Sequence, residues 1–365
     1  MLALQPAEDG RLARVRTPGG RVSSRQLEAI SEAARLGSGL VELTARANVQ
    51  IRGLSDDHAE RLAGILALGG LLPSLEHERV RNILASPLAG RHPASLLATD
   101  EIVSELDRAL CADLVLAELS GRFLFAVDDG SWMAADPRAD IALIAEPGDP
   151  PAFVLALAGV PTTLRFAPGA AAEAAIAAAR VFHALAAASG ENPWRIADLP
   201  GGAESVAREL GARLRPGRLA LSPGPALGAR MQNDGRVSVT ALPPLGRLDP
   251  ALLTALLPLV AGAGGELRLT SARTLTLRDN DPARAAEVLG AIEEAGFAVS
   301  EDSGWRGLSA CAGLGACSNA LLDVRAGAAR RAAVRRSDAP SEHWSGCERR
   351  CGRPPDVHVA VTALS

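Results

Sequence analysis

Four of the five cysteines in this 365-residue chain lie between positions 311 and 351, as two pairs. Cys311 and Cys317 form a C-x5-C pair, and Cys347 and Cys351 form a C-x3-C pair after 29 intervening residues. Thiols in this arrangement can hold a metal centre, form two disulfides or pack as small apolar side chains. Cys111 has no partner at a comparable spacing and is interpreted as a core residue of a helix.

The cellular compartment bears on the choice between these roles. Residues 1–9 contain neither the basic n-region nor the apolar h-region of an export signal. The apolar runs at residues 152–160 and 251–263 fall short of the roughly 18–20 residues that span a bilayer. We therefore expect a cytoplasmic protein with no membrane contact. In the cytoplasm, paired cysteines bind metal or act in catalysis more often than they form disulfides.

The cysteine spacing favours an iron–sulfur cluster over a structural zinc ion. Zinc sites typically use C-x2-C pairs, whereas C-x5-C with C-x3-C suits a four-iron cluster held by four thiolates. Glycines beside the cysteines would let backbone N–H groups approach the cluster sulfurs. Residues 319–336 are predicted to form a helix whose positive N-terminal end faces the anionic cluster. Zinc and inert thiols remain the alternatives.

All 38 basic side chains are arginines, and the sequence contains no lysine. The formal net charge is −4, so the composition does not favour a nucleic-acid partner. The lack of lysine excludes any mechanism that needs a lysine ammonium. The planar guanidinium of arginine is then the main group that can bind carboxylates.

The N-terminal part of the chain is predicted to form a β-α-β module of ferredoxin-like size. Residues 12–15 are predicted as a strand, residues 23–36 as a helix with a serine N-cap, and residues 56–68 as a second helix. Residues 40–52 alternate between apolar and polar side chains, which predicts one strand. The polar face of that strand is interpreted as a binding surface, and it carries Thr44, Arg46, Asn48, Gln50 and Arg52.

The same module recurs 226 residues later without a gap, which indicates a duplicated fold. Turn glycines, core positions and one arginine coincide, including Arg52 with Arg278. The repeated arginine predicts an ion pair with a carboxylate in both copies. At the same offset Cys311 aligns with Ala85, so one half holds the ligands of a site that both halves share.

The repeat divides the chain into four predicted domains. Residues 1–75 and 226–300 are ferredoxin-like half-domains, residues 76–225 form an α/β domain, and residues 301–365 form a shortened cysteine-bearing domain. The predicted fold class is α+β with a pseudo-two-fold axis and a short second half. The second half would be short either naturally or because the chain is a fragment.

These features together resemble the sulfite/nitrite reductase haemoprotein family. The resemblance rests on the cysteine spacing, the duplicated half-domain, the segment from Thr44 to Arg52, and Val80-Arg81-Asn82-Ile83 before Ser86-Pro87-Leu88-Ala89-Gly90. It covers essentially the whole chain apart from a C-terminal part. In that family four cysteines hold a [4Fe–4S] cluster, and the last one bridges to sirohaem iron. The resemblance implies cluster ligation by Cys311, Cys317, Cys347 and Cys351, and tetrapyrrole binding by Arg46, Asn48, Gln50, Arg52 and Arg81.

Reductases of this family carry two lysines, as K-x-K, on the strand that enters the first α/β domain. There they bind the oxyanion and help to deliver protons. The corresponding positions here are Arg122 and Leu124. A leucine can neither relay a proton nor bind an anion, although Arg122 can hold an anion. This difference argues against sulfite reduction and makes Arg122 a candidate catalytic residue.

One branch of the family, the precorrin-3B synthases, is more similar to this chain. The shared segments are residues 81–90, residues 121–126 before Asp128-Asp129-Gly130, and residues 343–347. That branch implies a tetrapyrrole substrate instead of a cofactor. It also implies a cluster and a further non-haem iron that activate O₂ for hydroxylation and lactonisation of precorrin-3A in aerobic cobalamin biosynthesis. His343 is then a candidate catalytic residue, as an iron ligand or as a hydrogen-bonding neighbour of the cluster, whereas Asp128 and Asp129 are interpreted as a turn.

Three functions follow as hypotheses. The first is an oxidoreductase acting on a tetrapyrrole, with an NADH-linked reductase or a ferredoxin as electron donor. The second is a sirohaem-dependent sulfite or nitrite reductase. The third is a non-catalytic, cluster-bearing electron-transfer protein. The missing lysines and the short second half are the features that separate them.

Overall fold

The computed structural model describes residues 4–354 and 357–363. Two half-domains of similar fold surround a shared core, and each is followed by a unit built on a partly parallel sheet. The first half-domain contains β1 (Gln5–Ala7), β2 (Gly10–Val15), β3 (Arg21–Ser23), α1 (Ser24–Ala34), β4 (Val41–Leu43), β5 (Val49–Leu54) and α2 (Ala59–Leu68). The second contains β11 (Gly228–Met231), β12 (Val237–Ala241), β13 (Arg247–Leu248), α6 (Pro250–Gly262), β14 (Glu266–Leu269), β15 (Leu275–Asn280) and α7 (Ala285–Glu294).

The unit between the half-domains is α/β. Its elements are β6 (Ile83–Ala85), α3 (Asp100–Ala112), β7 (Phe125–Asp128), β8 (Ile141–Glu146), β9 (Ala152–Leu157), β10 (Val160–Phe166), α4 (Pro168–Ser189) and α5 (Gly202–Glu209). The last unit has β16 (Leu308–Ala310), α8 (Val324–Ala332), β17 (Glu342–Ser345) and β18 (Val359–Thr362). Strands β6, β7 and β8 are parallel, as are β16, β17 and β18, so both units begin with the same sheet arrangement. These elements confirm the predicted α+β class and the duplication.

Helix α1 illustrates how local sequence defines the half-domain. The Ser23 side chain accepts a hydrogen bond from the Gln26 backbone N–H, and the Gln26 side chain accepts one from the Ser23 backbone N–H. This reciprocal capping fixes the first turn of the helix. Leu27 and Ile30 then lie on the buried face and pack into the core.

The two half-domains exchange a strand. One sheet has the order β1-β2-β5-β4-β13, so its last strand comes from the second half-domain. The other has the order β11-β12-β15-β14-β3, so its last strand comes from the first. Helices α1 and α6 pack against each other, and both half-domains contribute to one apolar core. Each sheet is therefore completed by a strand of the other half-domain, so the two pseudo-symmetric copies depend on each other for their sheets.

The prediction of one strand over residues 40–52 is wrong. Strands β4 and β5 form an antiparallel hairpin in which Leu43 pairs with Val49. The Thr44 N–H donates to the Asn48 carbonyl at 2.9 Å, and Ala47 has a φ of 53°. The turn contains neither glycine nor proline, so the usual sequence signal for a reversal is absent. Arg46 therefore lies in a turn and does not share a strand face with Gln50 and Arg52.

The predicted helix at residues 319–336 is also shorter than expected. Helix α8 begins at Val324, and the Asp323 carboxylate accepts a hydrogen bond from the Ala326 N–H at 3.0 Å. The prediction that a helix starts directly after Cys317 is therefore wrong. A carboxylate occupies the positive end of α8, so this helix does not present a free N-terminus to the cysteines.

Within the described residues, α4 is the one helix whose length and composition would suit a membrane span. One face of it packs on the α/β sheet and α3, where Ala171, Ala175 and Phe182 are buried. Packing of this kind is typical of an apolar core helix.

A network of ion pairs joins the α/β unit to the second half-domain. Asp100 pairs with Arg268 at 2.7 Å and with Arg278 at 2.6 Å, and both arginines also pair with Glu266. Burial tends to raise the pKa of Asp100, but the charges and hydrogen bonds of Arg268 and Arg278 hold it below its ordinary value. Arg52 pairs with Asp9 at 2.8 Å in the first half-domain. The predicted carboxylate partner of this arginine is thus confirmed in both copies.

We expect Asp100→Asn to destabilise the protein by about 2 kcal/mol near neutral pH, because hydrogen bonds between charged groups are lost. A depressed carboxylate pKa stabilises the fold above the unfolded pKa of about 3.9, and this contribution falls as the pH drops through the folded pKa. The difference in unfolding free energy between wild type and variant should therefore shrink below pH about 4. Chemical denaturation at several pH values measures it. The control is Asp56→Asn, which breaks an exposed pair with Arg11. A difference that stays constant with pH would contradict this assignment.

Candidate functional site

The last sheet brings the two cysteine pairs together. Cys311 directly follows β16, and Cys347 follows the neighbouring parallel strand β17 by two residues. Carboxyl ends of adjacent parallel strands lie at the same edge of a sheet. Burial raises the pKa of Cys351, and the nearby charges of Cys347, Cys311 and Cys317 raise it further. The other three thiols therefore each lie near enough to Cys351 to affect its pKa.

A backbone N–H group approaches the sulfur of the first cysteine. In residues 4–354 and 357–363, no group of three or more His, Cys, Asp or Glu side chains is arranged to hold one metal ion. A four-iron cluster, if bound, would take its ligands from the four thiols. The Gly346 N–H donates to Cys311 Sγ at 3.2 Å. A Cβ at Gly346 would lie 2.8 Å from the Cβ of Ala320, so only glycine fits this approach to the sulfur.

Two arginines hold the backbone of the first cysteine pair. Arg325 Nε donates to the Cys311 carbonyl at 3.3 Å, and Arg52 Nη2 donates to the Ala316 carbonyl at 2.9 Å. Arg52 comes from the first half-domain and Arg325 from α8, so the loop between Cys311 and Cys317 is fixed from two sides. Both guanidinium groups are largely buried.

A single carboxylate, that of Glu42, connects these arginines. It pairs with Arg325, lies 3.6 Å from Arg52, and lies 3.6 Å from Arg247 of the second half-domain. Glu42 is buried, so its charge is little screened by solvent. Three units of the fold therefore meet at one side chain beside the cysteine loop.

A cleft of about 470 Å³ opens between the half-domain turns and the cysteine-bearing unit. Its volume lies in the range of about 300–1,000 Å³ that is usual for small-molecule sites. The two pseudo-symmetric hairpin turns contribute Ala45 on one side and residues 271–274 on the other. Residues 305–309 and 339–341, at the amino ends of β16 and β17, line the wall that the cysteine-bearing unit contributes. The four cysteines, all within the described residues, follow the carboxyl ends of these strands and do not line the cleft.

The predicted residues of the β4–β5 hairpin connect elements of the fold. Arg46 donates to the carbonyls of Gly121 and Arg122, at 2.8 and 3.0 Å. Burial, and then the charge of Arg195, lower the pKa of Arg46 to about 10. Asn48 is buried. Its side-chain oxygen accepts a hydrogen bond from the Thr17 N–H, and its side-chain nitrogen donates one to Asn82 Oδ1. Gln50 accepts a hydrogen bond from Arg14.

Arg81 lies apart from the other predicted tetrapyrrole-binding residues. Its Nε and Nη2 donate to both oxygens of Asp107, at 2.8 and 2.7 Å, and its Nη1 donates to the Leu71 carbonyl. These internal partners use the fork that a ligand carboxylate would need. Tetrapyrrole binding by Arg81 stays a prediction, and its contacts assign it a structural role as well.

The two positions that carry lysines in reductases differ in their surroundings. The Arg122 side chain is exposed, and its guanidinium lies 4.3 Å from the centre of the Trp194 ring. This cation–π contact holds the side chain in place. Leu124 is 2 % exposed and belongs to the apolar core that the half-domains share. The second position therefore presents no side chain to a ligand.

His343 lies on β17, four residues before Cys347, and is fully buried. Its Nδ1 lies 2.8 Å from Ser309 Oγ, and its Nε2 has no hydrogen-bond partner in the described part of the chain. Burial, and then the charge of Arg273, lower the pKa of His343 to about 4. The imidazole is therefore neutral at physiological pH, which is the form that binds metal ions.

Asp128 and Asp129 organise a loop, as expected. Asp128 accepts hydrogen bonds from the N–H groups of Gly130, Trp132 and Ala134. Asp129 accepts from the Gly90 N–H at 2.8 Å. The turn interpretation is thus confirmed. Cys111 is partly buried, and burial raises the pKa of its thiol.

Several residues at the site were not found by sequence reasoning. They are Glu42 of β4, Arg325 of α8, Trp194 of the connection between α4 and α5, and Arg273 of the β14–β15 turn. Only Arg273 carried a usable signal. At the repeat offset of 226 it aligns with Ala47, so it lies in the turn of the second hairpin. Because residues 40–52 were predicted as a single strand, neither hairpin turn was predicted, and the position of Arg273 in a turn was missed.

Comparison with known proteins agrees with this architecture. Residues 4–68 and 230–295 both match the family model of the nitrite/sulfite reductase ferredoxin-like half domain. Both half-domains are similar to that family, which confirms the resemblance seen in the sequence.

Individual relatives extend the similarity to nearly the whole chain. A precorrin-3B synthase from Sinorhizobium sp is 29% identical over 97% of this chain and 77% of its own length. A ferredoxin–nitrite reductase from Synechococcus elongatus is 27% identical over 98% of this chain and 77% of its own length. The solved structure of the Mycobacterium tuberculosis NirA protein superposes with a TM-score of 0.71 at 21% identity, over 94% of this chain and 69% of that one. The last similarity confirms the fold.

Proposed function

We propose that this protein is an iron–sulfur oxidoreductase that acts on a tetrapyrrole, with the activity of a precorrin-3B synthase. The observation that carries the proposal is the pair of positions where the reductases of the family have lysines. Arg122 is held against Trp194, and Leu124 is buried in the core. Neither side chain can deliver protons to a bound oxyanion at neutral pH, since arginine stays protonated. A macrocycle as substrate needs no oxyanion to be bound and protonated at these two positions.

The proposed reaction is hydroxylation of precorrin-3A followed by lactone formation. One oxygen atom of O₂ enters the ring carbon as a hydroxyl group, and the other leaves as water. An external donor, an NADH-linked reductase or a ferredoxin, supplies two electrons. An acetate arm then closes the γ-lactone: its carboxylate oxygen bonds the carbon next to the hydroxylated one, and the double bond between these two carbons becomes a single bond. Protons from solvent complete the hydroxyl group and the water. When bound, the [4Fe–4S] cluster would supply electron transfer, and a further non-haem iron would supply oxygen activation.

The residues of this chain have separable roles in the proposal. Cys311, Cys317, Cys347 and Cys351 hold the cluster, and His343 offers a neutral Nε2 near Cys351. Arg46 and Arg122 are the cations that we assign to tetrapyrrole binding and to catalysis, respectively; in the structure Arg46 donates to the Gly121 and Arg122 carbonyls. Asn48 and Arg52 tie the hairpin to neighbouring elements, whereas Gln50 bonds Arg14 and Arg81 bonds Asp107. Tetrapyrrole binding by Asn48, Gln50, Arg52 and Arg81 is part of the proposal. A cytoplasmic location is part of the proposal.

The second candidate is a sirohaem-dependent sulfite or nitrite reductase. The position and charge of Arg122 favour it, because a guanidinium can hold a small oxyanion without transferring a proton. In that case the macrocycle would be a resident cofactor and would remain with the protein on purification.

Anaerobic purification after growth with iron separates the two candidates. The measurements are iron and sulfide per chain, the visible spectrum, and the pigment that acid extracts. The proposal expects a cluster absorption without bound pigment, and oxygen uptake on adding precorrin-3A with a reductant. Sirohaem in amounts equal to the cluster, with nitrite or sulfite reduction, would replace the proposal with the second candidate. A cluster with neither activity would leave an electron-transfer protein.

A further inference from the structure

We propose that Arg273 binds a carboxylate arm of the tetrapyrrole while it holds the backbone next to Cys351, so that one guanidinium links ligand binding to the cluster loop. This inference rests on the proposed function. It adds a ligand-binding residue in the second half-domain. It also adds a contact through which a bound ligand would change the reduction potential of the cluster.

The location of Arg273 is set by the pseudo-two-fold relation. In the β14–β15 turn, the Thr270 N–H donates to the Thr274 carbonyl at 3.0 Å, as Thr44 and Asn48 do in the first hairpin. Arg273 has a φ of 60°, in the left-handed region that ordinary residues rarely adopt. Ala47, at the equivalent position of the first hairpin, has a similar φ of 53°, so this conformation is common to both turns. Ala47 is uncharged, and the neighbouring Arg46 directs its guanidinium to the Gly121 and Arg122 carbonyls. Among the described residues of the two turns, Arg273 is therefore the cation that lines the cleft.

Among the arginines that line the cleft, Arg273 differs in its partners. Arg138 pairs with both oxygens of Asp136, Arg306 pairs with Glu301, and Arg335 pairs with Glu342. Arg273 forms no ion pair with any carboxylate in residues 4–354 and 357–363. Burial lowers its pKa, and the charge of Glu42 raises it again only in part. A partly desolvated guanidinium without a carboxylate is suited to an anionic ligand.

The protein partner of Arg273 connects it to the cluster loop. Its Nη2 donates to the Gly352 carbonyl at 3.1 Å, and Gly352 directly follows Cys351. Guanidinium has five N–H donors, so this bond leaves the opposite side of the fork for a carboxylate. A carboxylate on that side would change the charge next to the last cluster cysteine. We therefore expect the reduction potential of the cluster to respond to the ligand.

Uroporphyrin III, a tetrapyrrole with eight carboxylates, serves as the probe, with the cluster-loaded protein and fluorescence titration. We expect Arg273→Gln to weaken binding roughly 10-fold or more, and Arg273→Lys to weaken it less, because lysine keeps the charge but loses the fork. The matched control is Arg284→Gln, which removes the same charge at an exposed site before α7. It should bind as the wild type does. Thermal unfolding and cluster absorbance check the integrity of each variant.

The second measurement is the midpoint potential of the cluster with and without uroporphyrin III. The wild type and Arg284→Gln should show a ligand-induced shift, and Arg273→Gln at saturating probe should not. Equal affinity and an equal shift in the two glutamine variants would overturn the role of Arg273 and leave the proposed function standing. Failure of the cluster-loaded wild type to bind the probe would overturn both. If Arg273→Gln does not fold, the lysine variant decides by the same two measurements.

Discussion

Replacement of Cys317 by serine is expected to abolish the cluster, with near-complete loss of iron, sulfide and visible absorption per chain. A serine hydroxyl does not ionise at neutral pH and is a poor ligand for iron compared with a thiolate. The same loss is expected at Cys311, Cys347 and Cys351, because the cluster is proposed to need all four thiolates as ligands. Iron and sulfide analysis of anaerobically reconstituted protein measures the effect.

The fifth cysteine supplies the matched control. Cys111 lies in α3, outside the cysteine-bearing unit, and the Cys111→Ser protein should bind as much iron as the wild type does. The ligand assignment is contradicted if Cys317→Ser keeps its full complement of iron and sulfide. It is also contradicted if Cys111→Ser loses the cluster while remaining folded.

Glu42→Gln is expected to lower the unfolding free energy by about 3 kcal/mol, because removing one partner of a buried ion pair leaves the other charge uncompensated. Here three arginines, Arg52, Arg247 and Arg325, would lose their shared carboxylate. Arg52 and Arg325 also hold the loop of Cys311 and Cys317, so the variant should release iron faster to a chelator. Denaturant unfolding of the cluster-free protein and chelator-dependent loss of absorbance measure the two effects separately.

Glu287→Gln provides the comparison for Glu42→Gln, since it makes the same chemical change at an exposed pair. Glu287 lies one turn from Arg284 on the surface of α7, where such pairs contribute less than about 1 kcal/mol. Its stability and its rate of iron loss should match those of the wild type. If Glu42→Gln unfolds at a lower denaturant concentration but keeps its iron equally long, Glu42 supports the fold and not the cysteine loop.

The sequence was sufficient to predict the duplication, because the repeat keeps its register over glycines, core residues and one arginine. The capped helix α1 was equally clear, since its N-cap and apolar periodicity act locally. The strand exchange could not be predicted, because β3 and β13 are only three and two residues long and their partners lie in the other copy. The first hairpin was missed because the alternation of apolar residues continues through a turn without glycine or proline.

In the candidate site, too, the features that depend on neighbouring residues could be predicted, and those that depend on residues distant in sequence could not. The cysteine ligands could be proposed from spacing, since two closely spaced cysteine pairs near each other in the sequence are rare and chemically specific. The roles of Arg46, Asn48 and Arg81 depend on partners such as Gly121, Asn82 and Asp107, and sequence separation hides such partners. Glu42 gave no signal at all, because a single carboxylate in an alternating strand looks the same whether it faces solvent or three arginines.

The exchanged strands also determine how the chain can reach its folded state. Neither ferredoxin-like sheet is complete until residues such as Arg21 and Glu266, 245 positions apart, have met. Contacts this distant in sequence carry a large loop-closure cost and slow the search for the native state. During synthesis, the sheet of the first half-domain therefore cannot be completed until most of the chain has been made. We expect the two halves to acquire protection from hydrogen exchange together, as one cooperative unit, and neither half to fold when expressed alone.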